Sequence, residues 1–402
     1  MEATNTFINA SKELVISSLL VNGLRNNAAI AIWRKPGSST VEAITDKDQE
    51  GYIGQLKDLD LLPPGFMIHP FISSQLHPPL YIKATDYFSF SLNEEANDAS
   101  YIGNLPDIGE GKPAELAVEI REFIHKSQPK VTVRTTTRSN FIETVKKAIE
   151  AINSGELFKV VPAKVKSIAL PNNFDLASVF LNLCKAYPNA FINCFYSEKT
   201  GLWIGASPET LIKTKGDKFF TMALAGTQKA KGENPLKNAA WTQKEIEEQA
   251  LVSRYIVDCF KKIRLREYSE IGPKTTVAGD LLHLKSEFLV DMKSTNFPQL
   301  GSVMLELLHP TSAICGMPKE KAMKFLQSEE RFDRSYFAGF VGPVNMNEET
   351  SLFVNLRCAK LDNKETLLFA GAGITEDSVP EKEWEETELK CNIIGQFIQP
   401  KQ

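Results

Sequence analysis

Residues Thr366-Leu367-Leu368-Phe369-Ala370-Gly371-Ala372-Gly373-Ile374, and after a short polar link Pro380-Glu381-Lys382-Glu383-Trp384-Glu385-Glu386-Thr387-Glu388-Leu389-Lys390, read as a strand, a glycine turn and a helix. The unbroken apolar run over 366–372 is the pattern of a buried strand. The paired glycines expose backbone N–H groups and let a ligand come close. The helix runs from about Pro380 to Phe397, and its Glu383, Glu386 and Lys390 share one face. That face is either a solvated salt-bridge surface or, because it follows the glycine turn, a place where an anion sits between the turn and Lys390.

Working outward, the same alternation recurs. A helix over 318–329 and a strand over 351–358 precede the quoted stretch. Further upstream a helix starts at Asn140, with Glu143 three residues on in a capping-box arrangement. Ile142, Val145, Ile149 and Ile152 follow at helical spacing, and Gly155 stops it. Then come a strand-like run from Leu157 to Val165, a helix from Phe174 to Ala186, and paired strands Ala190–Tyr196 and Leu202–Ala206. Another strand spans Phe219–Ala225, and a long helix is expected from Pro235 to Ile263. Mixed elements with many hairpin signals argue for an α+β fold rather than a βαβ repeat. Residues 1–130 carry short apolar runs cut by prolines, as in Leu61-Leu62-Pro63-Pro64-Gly65 and His77-Pro78-Pro79, and read as strands and loops. The polar passage Val131–Ser139 marks a boundary between an N-terminal subdomain, 1–135, and a second region, 136–402. The two are expected to form one compact domain.

The chain has 402 residues, 43% hydrophobic and 24% charged, with a net charge of −4. Such a balance supplies a large core and no global basic field for nucleic acid or an anionic membrane. An anionic substrate would instead be held by a few local cations. The six cysteines (Cys184, Cys194, Cys259, Cys315, Cys358, Cys391) are scattered, without metal-ligand spacing, and are expected to be reduced and buried. No basic-then-apolar leader opens Met1–Val21, and no apolar run approaches the ~20 residues that span a bilayer, so a cytoplasmic protein is expected.

Several residues stand out chemically. Glu245 and Glu248 lie one turn apart on the long middle helix. Oxygen donors from two helices, with no His or Cys cluster, are what magnesium prefers, although each pair alone is an ordinary helix surface. Lys159 sits in an apolar strand; it either points outward from an edge or points inward, where a neutral amine acts as a general base. Glu209, in Ala206-Ser207-Pro208-Glu209, is either a turn carboxylate or a buried acid able to donate a proton. Arg357, in Phe353-Val354-Asn355-Leu356-Arg357, suits bidentate capture of a carboxylate or a structural ion pair. His309, in Leu308-His309-Pro310-Thr311, is either a satisfied core histidine or a substrate contact.

Taken in order, Lys159-Val160-Val161, Gly205–Glu209, Ala223-Leu224-Ala225-Gly226-Thr227, Lys244–Val252, His283-Leu284, Leu308–Thr311, Phe337–Gly342, Phe353–Ala359, Ala370–Ile374 and Glu383–Thr387 with Lys390 resemble the chorismate-utilising enzymes. These are the isochorismate, salicylate, anthranilate and aminodeoxychorismate synthases, and the resemblance covers about Asn140 to Phe397. It implies two packed β-sheets flanked by helices, and one magnesium ion on the ring carboxylate of chorismate. Glu248 and Glu386 would bind that ion, with Glu245 and Glu383 supporting it through water. Lys390 and the backbone of Gly226 would meet the ring carboxylate, while Arg357 and the backbone of Gly371 would hold the enolpyruvyl carboxylate. Thr227 and His309 would also line the substrate. Lys159 would activate water for attack at ring carbon 2, and Glu209 would protonate the hydroxyl leaving carbon 4.

Within that family the resemblance favours the isochorismate branch, whose product serves menaquinone, siderophore or salicylate synthesis. The ammonia-using members usually carry glutamine where this chain has Lys159, and no amidotransferase portion is present, so an obligatory amidotransferase subunit is not expected and a monomer is. Ala313 and Phe337 stand where salicylate synthases place threonine and tyrosine. Three departures are local: Pro162-Ala163-Lys164 in place of Leu-Ser/Ala-Arg, Gln249 in place of histidine, and Ser286 in place of threonine. From another class, a dinucleotide-binding reading of Gly371-Ala372-Gly373 lacks its third glycine and the acidic residue about 20 positions on. A non-catalytic chorismate-binding protein would not need both Lys159 and Glu209.

Overall fold

Alternating side chains divide the strand Ala29–Arg34 between two cores. Ala31 and Trp33 face one, Ile30 and Ile32 the other, and the whole strand is buried. It lies near the middle of a ten-stranded sheet. In the computed structural model, which describes residues 4–7, 10–47, 58–93, 98–102, 112–126, 135–230, 232, 234–278, 281–363 and 365–399, every pairing between described strands is antiparallel. Edge to edge, this sheet runs Thr4–Phe7, Asp98–Ile102, Asp86–Ser91, Thr40–Asp46, Ala29–Arg34, Phe191–Ser197, Gly201–Ser207, Cys358–Asp362, Glu365–Gly371 and Ala163–Ala169. An eight-stranded sheet runs Ser269–Ala278, Leu281–Asp291, Lys218–Lys229, Thr210–Lys215, Glu349–Val354, Phe340–Val344, Gly65–His69 and Leu80–Lys83.

Aromatic contacts join the two inner faces. Trp33 meets Phe66 with ring centroids 5.3 Å apart, and Phe191 stacks on Phe353 at 4.0 Å. Such pairs add to the burial of large apolar surface. Among the described residues eight α-helices flank the sheets: α1 Lys12–Arg25, α2 Pro113–Lys126, α3 Arg138–Asn153, α4 Leu176–Ala186, α5 Gln243–Lys262, α6 Leu300–Leu308, α7 Lys319–Glu329 and α8 Pro380–Ile398. α1, α2, α4 and α8 cover the outer face of the larger sheet, whereas α5 and α6 lie against the smaller one. No described helix is long and apolar enough to cross a membrane.

The α+β expectation holds, with local corrections. The described part of residues 1–130 contains two α-helices and a short 3-10 helix, Leu59–Leu61, not only strands and loops. α1 is capped by Ser11 and buries Ile16, Leu19, Leu20 and Leu24, so its apolar residues face the sheet and neighbouring helices over a wide arc. α3 begins two residues before its expected start, because Thr137 rather than Asn140 caps it, and Gly155 (φ +78°) ends it. The run Leu157–Val165 breaks at Pro162, which has no N–H for a ladder. α5 starts at Gln243 instead of near Pro235, since Thr242 and Glu245 form a capping box there. The expected strand 351–358 ends at Val354 and resumes at Cys358, because Arg357 turns the chain with φ +47°. Of the passage 131–139, residues 131–134 lie outside the described residues, and 138 and 139 already belong to α3. Strands from both sides of residue 135 share both sheets.

Candidate active site

The short strand Lys159–Val160 places one lysine at the centre of the molecule. It pairs with Gly316–Met317, and Val160 exchanges backbone hydrogen bonds with Ile374 at 3.2 and 2.8 Å, which brings it beside the glycine turn. Lys159 therefore points inward: the residue is 0% exposed, and Nζ lies 2.9 Å from Oε1 of Glu248 on α5. That contact is an ion pair without good hydrogen-bond geometry, so the buried ammonium nitrogen has no full hydrogen-bond partner among the described residues. Gly373 is the residue that permits this meeting. A Cβ there would run into the Glu248 carboxylate and come 3.1 Å from Lys159 Cε.

Glu209 follows the strand Gly201–Ser207 and is 3% exposed. Burial pushes its carboxyl up to about 8, and the positive charges of Lys159 and Arg357 pull it back only in part. The acid is therefore mostly protonated at neutral pH. Arg357 is itself buried, and its guanidinium has no hydrogen-bond or ion-pair partner among the described residues. Burial lowers it to about 10 against the opposing pull of Glu386 and Glu209. An unpartnered guanidinium beside two carboxyls, one of them neutral, is ready for an incoming anion.

A bulge in the strand Lys218–Lys229 carries Gly226 (φ +66°) and Thr227. His283 Nδ1 donates to the Gly226 carbonyl at 2.8 Å, which leaves Nε2 as a bare, buried acceptor. Burial first, then the nearby Arg357 and Lys390 charges, lower this imidazole to about 3, so it is neutral.

α5 and α8 supply the acids. Glu248 is desolvated, which works against its charge, but Lys159, Lys244 and Lys390 outweigh this and hold it below the usual carboxylate range. Glu383 pairs with Lys244, yet burial and the charge of Glu386 leave it raised. Burial opposes the Lys244 charge, but Glu383, Glu386 and Glu248 raise this ammonium. Lys390 Nζ lies 2.6 Å from Glu386 and donates to the Gly371 carbonyl at 2.8 Å. Three acids and three lysines thus share one electrostatic field.

Lys159, Glu209, Glu248, Arg357, Gly371, Glu383, Glu386 and Lys390 come together, with Gly226 and Thr227 linked to them through His283. Four expected residues sit differently. Glu245 accepts from the backbone N–H of Thr242 at 2.8 Å, so its carboxylate caps α5. His309 bonds the Pro70 carbonyl at 3.2 Å and packs edge-on to Phe340 and His69, as a satisfied core histidine does. Phe337 stacks on Phe369 at 5.4 Å within the core, and Ala313 packs against the same cluster. No three of the four expected metal ligands gather their oxygens within 4.8 Å; the described acids that do so are the exposed Glu247, Glu376 and Asp377. Sequence reasoning gave no role to His283, Lys244 or Gly373. A lone histidine between leucines was the available signal for the first.

A family model described as "Chorismate binding enzyme" matches residues 107–399. The vibriobactin-specific isochorismate synthase of Vibrio cholerae is 27% identical over 300 residues, 73% of this chain and 72% of that protein. Isochorismate synthase EntC of Escherichia coli is 28% identical over 287 residues, covering 70% and 73%. Among solved structures, MenF, the menaquinone-specific isochorismate synthase from Escherichia coli, superposes with a TM-score of 0.75 at 19% identity, over 99% of this chain and 94% of that one. Anthranilate synthase component I from Streptococcus pneumoniae gives 0.62 at 18% identity, over 91% and 89%.

Proposed function

The chain belongs to the chorismate-binding enzyme family, and on that premise we propose that it is an isochorismate synthase, converting chorismate reversibly to isochorismate. The observation that carries this reading is the pairing of Lys159 with Glu209. A buried amine and a buried, protonated carboxyl lie within electrostatic reach of each other, the acceptor and donor of protons that exchanging one hydroxyl for another requires.

Water is a poor nucleophile and hydroxide a poor leaving group, so each end of the ring diene needs a proton transfer. Lys159 takes the proton from water attacking ring carbon 2, and Glu209 gives its proton to the hydroxyl leaving carbon 4. Positioned proton transfer contributes typically ~10²–10⁴-fold. Arg357 and the backbone of Gly371 hold the enolpyruvyl carboxylate; Lys390 and the backbone of Gly226 hold the ring carboxylate. His283, neutral and with Nε2 free, accepts a hydrogen bond and not a charge.

Glu248, Glu383 and Glu386 suit a magnesium ion. They are hard oxygen donors, burial and then the charge of Glu386 raise Glu383, and Gly373 gives the Glu248 carboxylate the room beside the turn that a side chain would take. When bound, the ion would supply electrostatic anchoring of the ring carboxylate. With a lysine where ammonia-using members usually carry glutamine, the chain works without an amidotransferase subunit. No described helix spans a membrane, and we place the reaction in the cytoplasm.

Purified protein incubated with chorismate and magnesium should yield isochorismate and no pyruvate by chromatography, a chelator should stop the reaction, and Lys159→Ala should abolish turnover while the melting transition persists. Salicylate with pyruvate among the products would reassign the branch; unchanged turnover in the variant would remove the base.

A further inference from the structure

A cleft of about 650 Å³ opens along the inner face of the smaller sheet. Leu224, two residues before Gly226, and Pro208, next to Glu209, lie on its wall. It adjoins a second cavity of about 230 Å³ that contains Arg357, the two sharing Asn189, Pro208 and Val277. Only these shared walls separate the cleft from the cavity lined by Arg357, the residue proposed to bind the enolpyruvyl carboxylate.

The charge along this path is not balanced. Lys35, Lys213 and Lys285 line the cleft, and so do Glu349 and Glu287. Glu349 gathers Lys35 at 3.2 Å, Lys213 at 3.1 Å and, from the rim, Lys215 at 3.8 Å, while Lys285 pairs with Glu287 at 2.8 Å. Four lysines thus meet two carboxylates. A further acid, Glu42, is buried, accepts from Trp33 Nε1 at 3.0 Å and feels the charges of Lys35 and Glu349, so even with it counted the lysines stay in excess. One glutamate neutralises one lysine of the three it collects and leaves the surplus fixed at the mouth. This occurs on a chain whose net charge is −4, so the excess is local. A concave, low-dielectric wall with a net positive charge focuses the field and speeds capture of the opposite charge.

We propose that this cleft is an electrostatic vestibule through which a dicarboxylate substrate is drawn to Arg357, with Lys213 and Lys285 as its steering residues. The inference rests on the isochorismate synthase reading for the identity of the dicarboxylate. Neither lysine touches the reacting atoms, so both act on capture and not on chemistry.

The test is kcat/KM for chorismate measured across a sodium chloride series in wild type, in Lys213→Gln/Lys285→Gln, and in a charge-matched control, Lys126→Gln/Lys261→Gln, at exposed pairs elsewhere. In the cleft variant kcat/KM should fall roughly three- to tenfold at low salt, with kcat unchanged and the salt dependence flattened. Lys213→Arg/Lys285→Arg should retain the wild-type values. Wild-type kcat/KM and salt slope in the cleft variant, or an equal loss in the control, overturns the vestibule. Absence of any wild-type turnover of chorismate fails the functional reading instead, so the two failures are distinct.

Discussion

At the scale of the residue, the account turns on Glu209. Its side chain is short, follows a proline and is enclosed on all sides, so the neutral form is favoured up to about pH 8. Glu209→Gln should therefore lower kcat by about 10²–10⁴-fold, and wild-type activity should decline as pH rises through about 8, where the proton is lost. The same residue affects stability, with the sign set by its raised value. The folded state holds a proton that the unfolded chain releases near 4.5, so this contribution is fully present below 4.5 and is lost as pH climbs toward 8. At ~1.36 kcal/mol per pH unit, the ceiling on that loss is about 5 kcal/mol. Urea melts of wild type and Glu209→Gln at pH 5 and 8 should show the variant losing less stability over that interval; equal losses would count against the buried acid. In the sequence this residue had two readings, turn carboxylate or buried acid, because nothing local to Ser207-Pro208-Glu209 reports what packs over it. Two of the departures from the family pattern are similarly explained only in space: Gln249 Nε2 donates to Ser286 Oγ at 3.2 Å, so the substitutions are partners.

At the scale of the element, helix α8 does two jobs with opposite faces. Glu383, Glu386 and Lys390 look into the site, while Glu388 ties the helix to the sheet edge. There it pairs with Lys164, which is fully buried beneath the Trp384 ring, 3.4 Å from its centroid, and with Lys166 at 2.7 Å. Lys164 stands where the family resemblance often has arginine, and its stem and ammonium pack against Glu388 and Trp384. Burial opposes the Glu388 charge, but both lysines outweigh it and hold it low, so its contribution is present above the ordinary carboxylate range and lost as pH falls. Removing it strands a buried ammonium. Glu388→Ala should cost about 2–3 kcal/mol, read as a lowered melting temperature at pH 7, with Glu388→Gln costing less; no change would mean that Lys164 finds another partner. The helices and hairpins of the second region were legible because their periodicity and caps are local. What was not legible was where competing start signals resolve. Pro235 suggested a helix start that the Thr242–Glu245 box took instead, and α1 hid among apolar residues that face a sheet and neighbouring helices over too wide an arc to leave a clear stripe.

At the scale of the molecule, the first 135 residues are structural partners of the site. Ala29–Arg34 pairs with Phe191–Ser197, and Gly65–His69 pairs with Phe340–Val344. Removing them would expose two strand edges and the aromatic layer that includes Phe191 and Phe353. Residues 136–402 expressed alone should accordingly be insoluble or lack a cooperative melt, and a soluble, cooperatively folded fragment would show that the two regions are separable. This dependence was invisible in the sequence, where the N-terminal third offered no motif, because long-range antiparallel pairing leaves no local mark. The opposite held for the site. Lys159, Glu209, Glu248, Arg357, Glu386 and Lys390 are scattered over 232 positions, yet each lies in a short motif whose order is distinctive, and the fold brings them together. The central claim is that water enters at ring carbon 2 while the hydroxyl at carbon 4 departs. It is tested most directly by running the reaction in ¹⁸O-labelled water and examining isochorismate by mass spectrometry. The account predicts one labelled oxygen, located on carbon 2. Isochorismate formed without label would contradict it.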